Sequence, residues 1–337
     1  MVTLKHIAEH CDISVASVSK ALNHMPGVGA KTAEIIRKTA RDMGYLPNAA
    51  AQALKTNRSF NIGVLLEDDE SHGLLNQFFV TVLEGFRVIM ETKGYDLMLM
   101  NHTVGKRRIS YLEHCRHSNL DGIFIECSDF WDPELLELAG SSVPLVSIDH
   151  TYAGHPSVYS DNMAGMHKAV NYAYNLGHRR IAYVSGAPSG VTEIRVNGYK
   201  KSLELLGLPF RNEYLLASRY RDVRRTKEVT AALLELPDPP TCILMPDDYA
   251  ALGGLLAVEE AGLRVPEDIS VIGFDGLDFL NHISPRLTTV RQDAFTIGEK
   301  AAELLLEHIE KKRDIQDGVT VIVPVTLLEG ATVTFSS

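Results

Sequence analysis

The chain has 337 residues, is 45% hydrophobic and carries a formal net charge of −10 at pH 7. That length and apolar content are enough for two or three domains with their own cores. No run of about 18 apolar residues occurs, and the N-terminus lacks the basic-then-apolar pattern of a signal peptide, so we expect a cytoplasmic protein without a membrane segment. The four cysteines are scattered without CxxC spacing, which is typical of free thiols in a reducing compartment.

Charge is distributed unevenly along the chain. Residues 1–60 hold eight Lys or Arg and four Asp or Glu, whereas the remainder carries 25 basic and 39 acidic residues. A small basic head on an acidic body suits a module that binds nucleic-acid phosphates, joined to a core that avoids them. An imbalance of this size also arises by chance on a solvated surface, so it only corroborates other signals.

Residues 3–23 have the pattern of two short helices around a tight turn. Thr3 and Ser14 are suitable N-caps, and Asp12 tolerates the left-handed backbone that a sharp turn needs. The outer side of the second helix is small and polar, with Val15, Ala16, Ser17, Ser19 and Lys20. So narrow a helix face fits a DNA major groove, where a lysine can reach a base edge or a phosphate. The same pattern also fits a helical hairpin packed on a larger core.

The segment after this head is a candidate linker. Pro47 disfavours helix at Leu46, and Asn48 can cap a short alanine-rich helix at residues 49–56. A helix of that length is marginal alone in water. On composition alone the segment is an alanine-rich spacer.

From residue 61 onward, short apolar strands alternate with longer helical patterns. The predicted strands are 62–66, 96–100, 123–125 and 145–148 in a first series, and 180–184, 242–245 and 270–274 in a second. Helices are predicted at about 79–93 and at about 106–118. This alternation indicates parallel sheets covered by helices on both faces, and two series indicate two doubly wound subdomains. Ligands in such folds bind at the carboxyl ends of the strands.

Charged and aromatic side chains follow several of these strands. The carboxylates are Asp149, Asp161, Asp247, Asp248 and Asp275, and the candidate stacking faces are Phe78, Phe79, Trp131 and Tyr220. Arg195 lies in the first turns of a predicted helix. Carboxylates accept from hydroxyl groups and arginine donates to ring or hydroxyl oxygens, so a hydroxyl-rich ligand fits. An Asp after a strand equally serves as the N-cap of the next helix, a role that suits Asp161 and Asp248.

Catalytic motifs are absent from the sequence, which has no GxxxxGK[ST], GxSxG, HExxH or strand-linked GxGxxG. The loop at 185–190 follows a predicted strand and more often borders a cleft than cradles an anion. His114 and His117 share a helix face, but no further ligand lies nearby in sequence, so we expect a surface helix rather than a metal site. We therefore expect that the protein is not an enzyme and that it binds no cofactor and no metal.

Residues 13–23 resemble the helix-turn-helix of the LacI–GalR family of bacterial transcription regulators. The family pattern is Val-Ser-x-x-Thr-Val-Ser-Arg-x-Leu-Asn, and this chain has Ile-Ser-Val-Ala-Ser-Val-Ser-Lys-Ala-Leu-Asn. The match continues through Gly-Tyr-Leu-Pro-Asn-Ala-Ala-Ala-Gln-Ala-Leu at 44–54. Further family phrases lie at 61–66, 161–165, 177–183, 262–275 and 284–292. The resemblance therefore covers nearly the whole chain.

The resemblance implies a fold and a domain organisation. Residues 1–46 would form an all-α helix-turn-helix DNA-binding domain, 47–59 a hinge helix and linker, and 60–337 an effector-binding and dimerisation core. This α/β core would resemble periplasmic binding proteins, with two doubly wound parallel-sheet lobes. One lobe would hold residues 60–160 and 292–320, and the other 161–291 and 321–337, so the chain would cross between them three times.

The resemblance also implies a mode of DNA binding. The hinge helix of the family folds against its dimer mate in the minor groove, and its leucine, here Leu54, wedges into the central base step. By family position, Val15 and Ala16 pack on thymine methyls and Lys20 donates to guanine. The implied DNA-binding residues are Thr3, Ser14, Val15, Ala16, Ser17, Ser19, Lys20, Asn23, Asn48, Leu54 and Lys55. We therefore expect a homodimer on a pseudo-palindromic double-stranded DNA operator.

A small-molecule effector is the second implied partner. The expected effector-binding residues are Phe78, Phe79, Asp149, Asp161, Arg195, Tyr220, Asp247, Asp248, Asp275 and Gln292. This chain departs from the family at Gln77, where the family has proline, at His150, where it has arginine, and at Asp247, where it has asparagine. The more acidic pocket disfavours anionic effectors and favours neutral or cationic ones, and a neutral sugar is the expected effector.

The sequence thus predicts a ligand-responsive, sequence-specific DNA-binding regulator, a repressor of carbohydrate-utilisation genes. A solute-binding protein of a sugar transporter is an alternative with the same core fold, opposed by the missing signal peptide and the basic head. An enzyme on a doubly wound fold is a second alternative, opposed by the absent motifs. Whether the effector releases DNA or promotes its binding is left open by the sequence.

Overall fold

The computed structural model describes residues 2–45, 58–66, 76–310 and 318–336. The chain divides into two compact units, Met1–Ser59 and Phe60–Ser337. Within the described residues, no helix is long and apolar enough to cross a membrane. The predicted hinge residues Asn48, Leu54 and Lys55 lie outside the described residues, and their roles stay predictions.

Three helices form the N-terminal unit. They are α1 (Leu4–Cys11), α2 (Val15–Leu22) and α3 (Ala30–Asp42). Ile7, Val18 and Ile36, one from each helix, are fully buried in the small core of this unit. Arg37 of α3 donates from Nη1 to the Ala21 carbonyl at 3.3 Å, near the end of α2. That bond satisfies one of the carbonyls that a helix terminus leaves unpaired.

The predicted caps and turn are present in this unit. The Thr3 hydroxyl accepts a hydrogen bond from the His6 backbone N–H. The Ser14 hydroxyl accepts one from the Ser17 backbone N–H at 3.1 Å. Between the two helices, Asp12 has a φ of 51°, the left-handed conformation that Asp tolerates better than most residues. Local sequence therefore sets the start of each helix and the turn between them.

The second unit alternates strands and helices. Its strands are β1 (Asn61–Leu66), β2 (Asp96–Leu99), β3 (Thr103–Val104), β4 (Arg107–Arg108), β5 (Gly122–Cys127), β6 (Leu145–Ile148), β7 (Ser157–Ser160), β8 (Ile181–Ser185), β9 (Leu215–Ala217), β10 (Cys242–Leu244), β11 (Ser270–Asp275), β12 (Thr288–Gln292), β13 (Thr320–Val323) and β14 (Val325–Leu328). Its α-helices are α4 (Gln77–Thr92), α5 (Tyr111–His117), α6 (Pro133–Ala139), α7 (Asn162–Asn175), α8 (Gly190–Leu205), α9 (Val223–Leu234), α10 (Asp248–Glu260) and α11 (Ala294–Ile309).

Two six-stranded sheets define two lobes. The first has the order β13-β7-β6-β5-β1-β2 and is parallel throughout, and the second has the order β14-β12-β11-β10-β8-β9, with only β14 antiparallel to its neighbour. Each sheet buries apolar side chains on both faces. In the first lobe, α4 and α11 cover one face and α5 and α6 the other. In the second lobe, α7 and α8 cover one face and α9 and α10 the other. The helical head and the two doubly wound sheets confirm the predicted fold class.

The predicted helix at 106–118 is wrong in its first half. Strands β3 and β4 form a short hairpin there, and Gly105 in its turn has a φ of 64°, which glycine adopts without steric cost. Helix α5 begins only at Tyr111, where Ser110 and Glu113 form a capping box. A turn residue and a capping signal therefore override the apolar spacing.

The chain passes between the lobes three times. The first passage joins β7 to α7, the second joins β12 to α11, and the third joins β13 to β14. The last passage comes a few residues later than predicted, because all of β13 pairs with β7. Pro324, which has no N–H to donate to a ladder, separates the two strands.

Helices α4 and α11 approach each other through glycines. A Cβ on Gly85 of α4 would overlap the backbone of Phe295, and a Cβ on Gly298 of α11 would overlap the backbone of Val82. This close approach holds α4 against α11, the helix that follows the second passage between the lobes. The first turn of α4, which carries Phe78, is thereby positioned at the edge of the first lobe.

Candidate functional site

Helix α2 presents an exposed face with the predicted base-reading residues. Val15, Ala16 and Lys20 are exposed, whereas Val18 and Ala21 on the opposite side are buried. The Val15 side chain is 44% exposed, so its methyl groups are accessible to a thymine methyl group in the major groove.

Other predicted DNA-binding side chains already make hydrogen bonds within the head. Ser17 Oγ lies 2.9 Å from Ser14 Oγ. Asn23 Nδ2 donates to the Ser19 carbonyl at 2.6 Å, at the end of α2. Hydroxyl and amide groups have further donors and lone pairs, and Thr3, Ser14 and Asn23 are exposed. The DNA contacts of these residues stay predictions.

Arg195 on α8 is the centre of a polar cluster in the second lobe. Its side chain is 3% exposed. Nε donates to Asn162 Oδ1 at 2.7 Å, Nη1 donates to the Pro246 carbonyl at 2.8 Å, and the guanidinium lies 3.6 Å from the centroid of the Phe274 ring. These contacts fix the guanidinium plane. No described residue accepts from Nη2 in this structure, so this group can donate to a ligand.

Asp149 and Asp275 stand at the carboxyl ends of strands from different lobes. Asp149 directly follows β6 of the first lobe, and Asp275 ends β11 of the second. Both have left-handed backbones, with φ of 58° and 116°, which cost free energy for residues other than glycine. Such strain is found at ligand-binding sites, where it aims a side chain that regular backbone would point elsewhere. Gln292 Nε2 donates to Asp275 Oδ1 at 2.7 Å.

The electrostatics of this cluster follow from burial and proximity. Burial raises the pKa of Asp149 to about 6, against an opposing effect of the Arg195 charge. Burial and then the neighbouring Asp248 and Asp247 raise the pKa of Asp275 well above its ordinary value, while Arg195 opposes the shift. Burial lowers the pKa of Arg195, but nearby tyrosines and these carboxyls outweigh it and raise the pKa overall. The guanidinium is therefore charged, while burial and the neighbouring carboxyls favour the protonated form of Asp275.

Three other predicted carboxylates have structural partners. Asp161 caps α7 by accepting from the Ala164 N–H at 2.9 Å. The predicted cap at Asp248 is wrong, because Asp247 precedes α10 and caps it by accepting from the Ala250 N–H at 2.8 Å. Asp247 also accepts from the Arg221 N–H at 2.7 Å. These bonds satisfy the orphan donors of a helix start and a loop. The effector roles of Asp161 and Asp247 stay predictions.

Asp248 holds the loop after β11 in place. Its Oδ2 accepts from the backbone N–H groups of Gly276 and Leu277, at 2.7 and 2.9 Å, and its Oδ1 accepts from the Thr289 hydroxyl at 2.6 Å. Burial raises the pKa of Asp248 to about 7, against the effect of these three bonds. This carboxylate therefore already accepts three hydrogen bonds within its own lobe. Its effector role also stays a prediction.

The predicted aromatic faces divide into three environments. Phe78 is buried in the core of the first lobe, and Phe79 beside it is half-buried with the Arg221 guanidinium 5.9 Å from its ring centroid. Tyr220 bonds to the Thr192 hydroxyl at 2.8 Å. Trp131 is 75% exposed. Phe79 and Tyr220 are thus the half-buried faces available for stacking.

Direct contacts join the two lobes beside this cluster. Gln77 of α4 donates from Nε2 to Asp278 Oδ2 at 2.8 Å and accepts from the Asp278 backbone N–H at 3.2 Å. Leu277 of the second lobe is buried in the core of the first, next to Phe78. The departure from the family's proline at position 77 therefore places an amide in the contact between lobes.

Sequence reasoning missed several residues of this site. Asn162, which accepts from Arg195 Nε, has no sequence signal beyond its place directly after Asp161. Glu126 is a buried acid near the end of β5, and its only sequence signal is a charge inside an apolar strand. The Gln77–Asp278 contact joins residues 201 positions apart, so no pattern of neighbouring residues predicts it.

Comparisons with known proteins agree with this architecture. Residues 3–48 match the model of bacterial regulatory proteins of the lacI family, and residues 170–333 match a periplasmic binding protein-like domain. The HTH-type transcriptional repressor PurR of Pectobacterium atrosepticum is 30% identical over 98% of this chain and 96% of its own length. The PurR repressor of Yersinia pestis is 31% identical over the same shares.

Solved structures give the same picture. The lac repressor dimer bound to operator and the anti-inducer ONPF aligns with a TM-score of 0.80 and 25% identity, over 99% of both chains. A LacI-family regulator from Enterococcus faecium with bound ribose aligns with a TM-score of 0.70 and 27% identity, over 82% of this chain and all of that one. The resemblance inferred from the sequence is confirmed. The chain belongs to the LacI family of bacterial regulatory proteins, as a DNA-binding transcriptional repressor with a ligand-binding domain.

Proposed function

We propose that this chain represses carbohydrate-utilisation genes as a homodimer on a pseudo-palindromic operator, and that a sugar without acidic groups, bound between its lobes, changes its operator affinity. The observation that carries the proposal is the meeting of Arg195, Asp149 and Asp275. Asp149 belongs to the first lobe and the other two to the second, yet the Arg195 charge acts on the pKa of both carboxyls. A ligand in contact with all three joins the lobes.

The cluster suits hydroxyl groups better than anions. Arg195 Nη2 donates to a ring or hydroxyl oxygen, while Asp149 and Asp275 accept from hydroxyls or, when protonated, donate to them. The carboxyl groups outnumber the guanidinium, so a phosphate or carboxylate on the ligand would meet like charge wherever these carboxyls are ionised. A half-buried aromatic face such as Tyr220 covers the apolar side of a sugar ring. The ribose-bound regulator from Enterococcus faecium supports a sugar as effector.

The operator switch follows from lobe movement. The Gln77–Asp278 bonds and the Leu277 side chain join the lobes beside the cluster, so a ligand there changes the balance between lobe arrangements. Effector and operator are coupled only if the effector prefers one arrangement, and a coupling of about 1–3 kcal/mol is typical. A single head makes too few base contacts for specificity, which supports a dimer. The operator-bound lac repressor dimer supports the same assembly.

A thermal-shift screen of sugars, sugar phosphates and nucleobases tests the effector class. We expect a sugar without acidic groups to raise the melting temperature, and Asp275→Asn to remove that rise. The single amide oxygen of Asn stays bonded to Gln292 Nε2, so no second oxygen is left to accept from a ligand hydroxyl. Asp96→Asn, at an exposed position in β2, is the matched control. Operator binding with and without the hit then gives the sign of the switch. Sub-millimolar binding of a phosphosugar or nucleobase, with no response to uncharged or amino sugars, would contradict the proposal.

A further inference from the structure

Glu126 is a buried acid that the site described above does not use. Its side chain is 1% exposed, and neither carboxyl oxygen has a hydrogen-bond partner of normal geometry among the described residues. An unpaired buried polar group costs free energy that folding has to offset. Such a group in a native core therefore requires a reason beyond packing.

The register of the first sheet places Glu126 at the edge of the effector cleft. Ile125 of β5 pairs with Ser147 of β6, so Glu126 is level with Ile148, directly before Asp149. The register of β5 against β1 shifts beside Glu126, and the carboxyl group lies near the backbone of Leu83 in α4, so Glu126 faces the same helix as Phe124. Phe124 stacks on Phe86 of α4 at 4.2 Å. Glu126 therefore lies one step further towards the cleft, beneath the start of α4.

The first turns of α4 enclose the carboxyl group. The Leu83 backbone is the polar group near enough to favour the charged form of Glu126, and burial outweighs it, raising the pKa to about 9. No cap, ion pair or interlobe bond within the described residues depends on this carboxyl. A glutamate that holds no structural element in place, at the ligand-binding edge of its sheet, fits a ligand-binding role.

We propose that Glu126 binds a protonated amine of the effector, so that the effector is an amino sugar rather than an unsubstituted sugar. This inference rests on the proposed function, in which a sugar occupies the cleft beside Asp149 and Arg195. The sugar hydroxyls contact Arg195, Asp149 and Asp275, and the ammonium group reaches past Phe79 to Glu126. It supplies donors to two carboxyl oxygens that have no hydrogen-bond partner among the described residues.

The ion pair has a measurable proton balance. In the free protein Glu126 holds its proton at neutral pH, and an amino sugar arrives as an ammonium ion. Pairing ammonium with carboxylate expels the carboxyl proton to solvent, so about one proton is released per amine bound. A neutral sugar at the same position leaves the protonated acid unchanged and releases none from it.

Calorimetry with matched ligand pairs tests the inference. D-glucosamine and D-galactosamine are compared with D-glucose and D-galactose, in two buffers of different ionisation enthalpy, on the full chain. We expect one amino sugar to bind at least about tenfold more tightly than its neutral counterpart, as expected for one charge-assisted hydrogen bond, and to release a proton. Glu126→Gln, which keeps the size and neutral polarity of the protonated acid, should remove both effects. Glu137→Gln, at an exposed position in α6, should remove neither.

The outcomes separate this inference from the proposed function. If neutral sugars bind and change operator affinity, and amino sugars bind no better, the inference is overturned while the proposed function stands. An amine advantage that survives in Glu126→Gln also overturns it, because another carboxyl must then hold the amine. If neither kind of sugar binds and an anionic or nucleobase ligand does, both fail. Proton release is measured on the wild-type chain, so the test holds even if the variant folds poorly.

Discussion

Arg195 and Glu126 are both buried and ionisable, but their surroundings differ. Arg195 has an amide oxygen, a carbonyl oxygen and an aromatic face against its guanidinium, so it keeps its charge inside the lobe. Glu126 has no comparable partner within the part of the chain that the structure describes, and burial favours its protonated form instead. Buried charges persist where hydrogen bonds replace water, and unpaired acids remain neutral. Each residue therefore leaves a different signature in the pH dependence of stability.

Glu126→Gln should change how stability depends on pH. The folded protein holds the Glu126 proton up to about pH 9, whereas the unfolded chain releases it near its ordinary value of 4.5. The folded state thus binds more protons between these values, and the free energy of unfolding falls as pH rises, by at most about 1.4 kcal/mol per unit. At pH 8 the variant should be more stable than wild type by about 2–4 kcal/mol.

Urea unfolding at about pH 5, 7 and 8 measures this difference. Asp149, Asp248 and Asp275 also have raised pKa values and contribute to the wild-type slope, but they are common to both proteins. The difference between the two curves therefore isolates Glu126. Parallel curves would mean that the acid is already ionised in the folded protein.

Lys20→Ala should relax base preference at one position in each operator half-site. Lys20 is exposed on α2 beside Ala16, and a lysine that donates to guanine O6 and N7 contributes about 1–3 kcal/mol of discrimination. Binding to a set of operators varied one base pair at a time measures the preference. Lys38→Ala removes the same charge from an exposed position on α3 and serves as the control. An equal loss on every sequence would show that Lys20 contacts only phosphate.

At the scale of elements, the contact between α4 and α11 depends on two glycines. Gly298→Ala adds a methyl group that overlaps the Val82 backbone, and backbone atoms cannot move aside as a flexible side chain can. We expect a loss of about 1–3 kcal/mol in the free energy of unfolding. Gly190→Ala in α8, where a Cβ meets nothing within 4 Å, should be neutral or slightly stabilising. Denaturant unfolding measures both, and equal stability of the two variants would contradict the close approach.

Patterns within a few residues predicted most of the elements. The alternation of apolar strands and helices follows from burial on both faces of a sheet, and Thr3, Asp12 and Ser14 act as their residue types suggest. The error at 106–118 has a local cause as well, since Gly105 and the Ser110 capping box end one pattern and begin another. Both signals are present in the sequence, but the apolar spacing typical of a helix was given more weight in the prediction.

The partners of the site residues could not be predicted, because they come from distant parts of the chain. An Asp after a strand has the same local pattern whether it caps a helix, as Asp161 does, or stands with a strained backbone in the cleft, as Asp275 does. The choice is made by neighbours such as Gln292 and Arg195. The role of Glu126 could not be predicted for the same reason, since its lack of a partner among the described residues depends on how the lobe packs.

At the scale of the whole molecule, basic residues predominate in the head and acidic residues in the core. This division makes operator binding far more sensitive to salt than effector binding. Phosphate contacts release condensed counterions, and log affinity falls with log salt at about 0.9 per phosphate neutralised. Two heads that neutralise about four phosphates in total should lose roughly a hundredfold in operator affinity between about 50 and 200 mM salt. The buried cluster around Arg195 is screened much less.

Titration of labelled operator at several salt concentrations measures the first quantity, and calorimetry of the effector measures the second. We expect effector affinity to change less than about threefold over the same range. Comparing the operator with a scrambled duplex separates base reading from phosphate binding. Both duplexes have the same dependence of log affinity on log salt, which comes from phosphate contacts, whereas the difference in affinity between them at one salt concentration comes from base contacts. An operator affinity that barely responds to salt would mean that the basic head contacts bases without neutralising phosphates. A steep salt response of the effector would mean that its site is open to counterions rather than enclosed between the lobes.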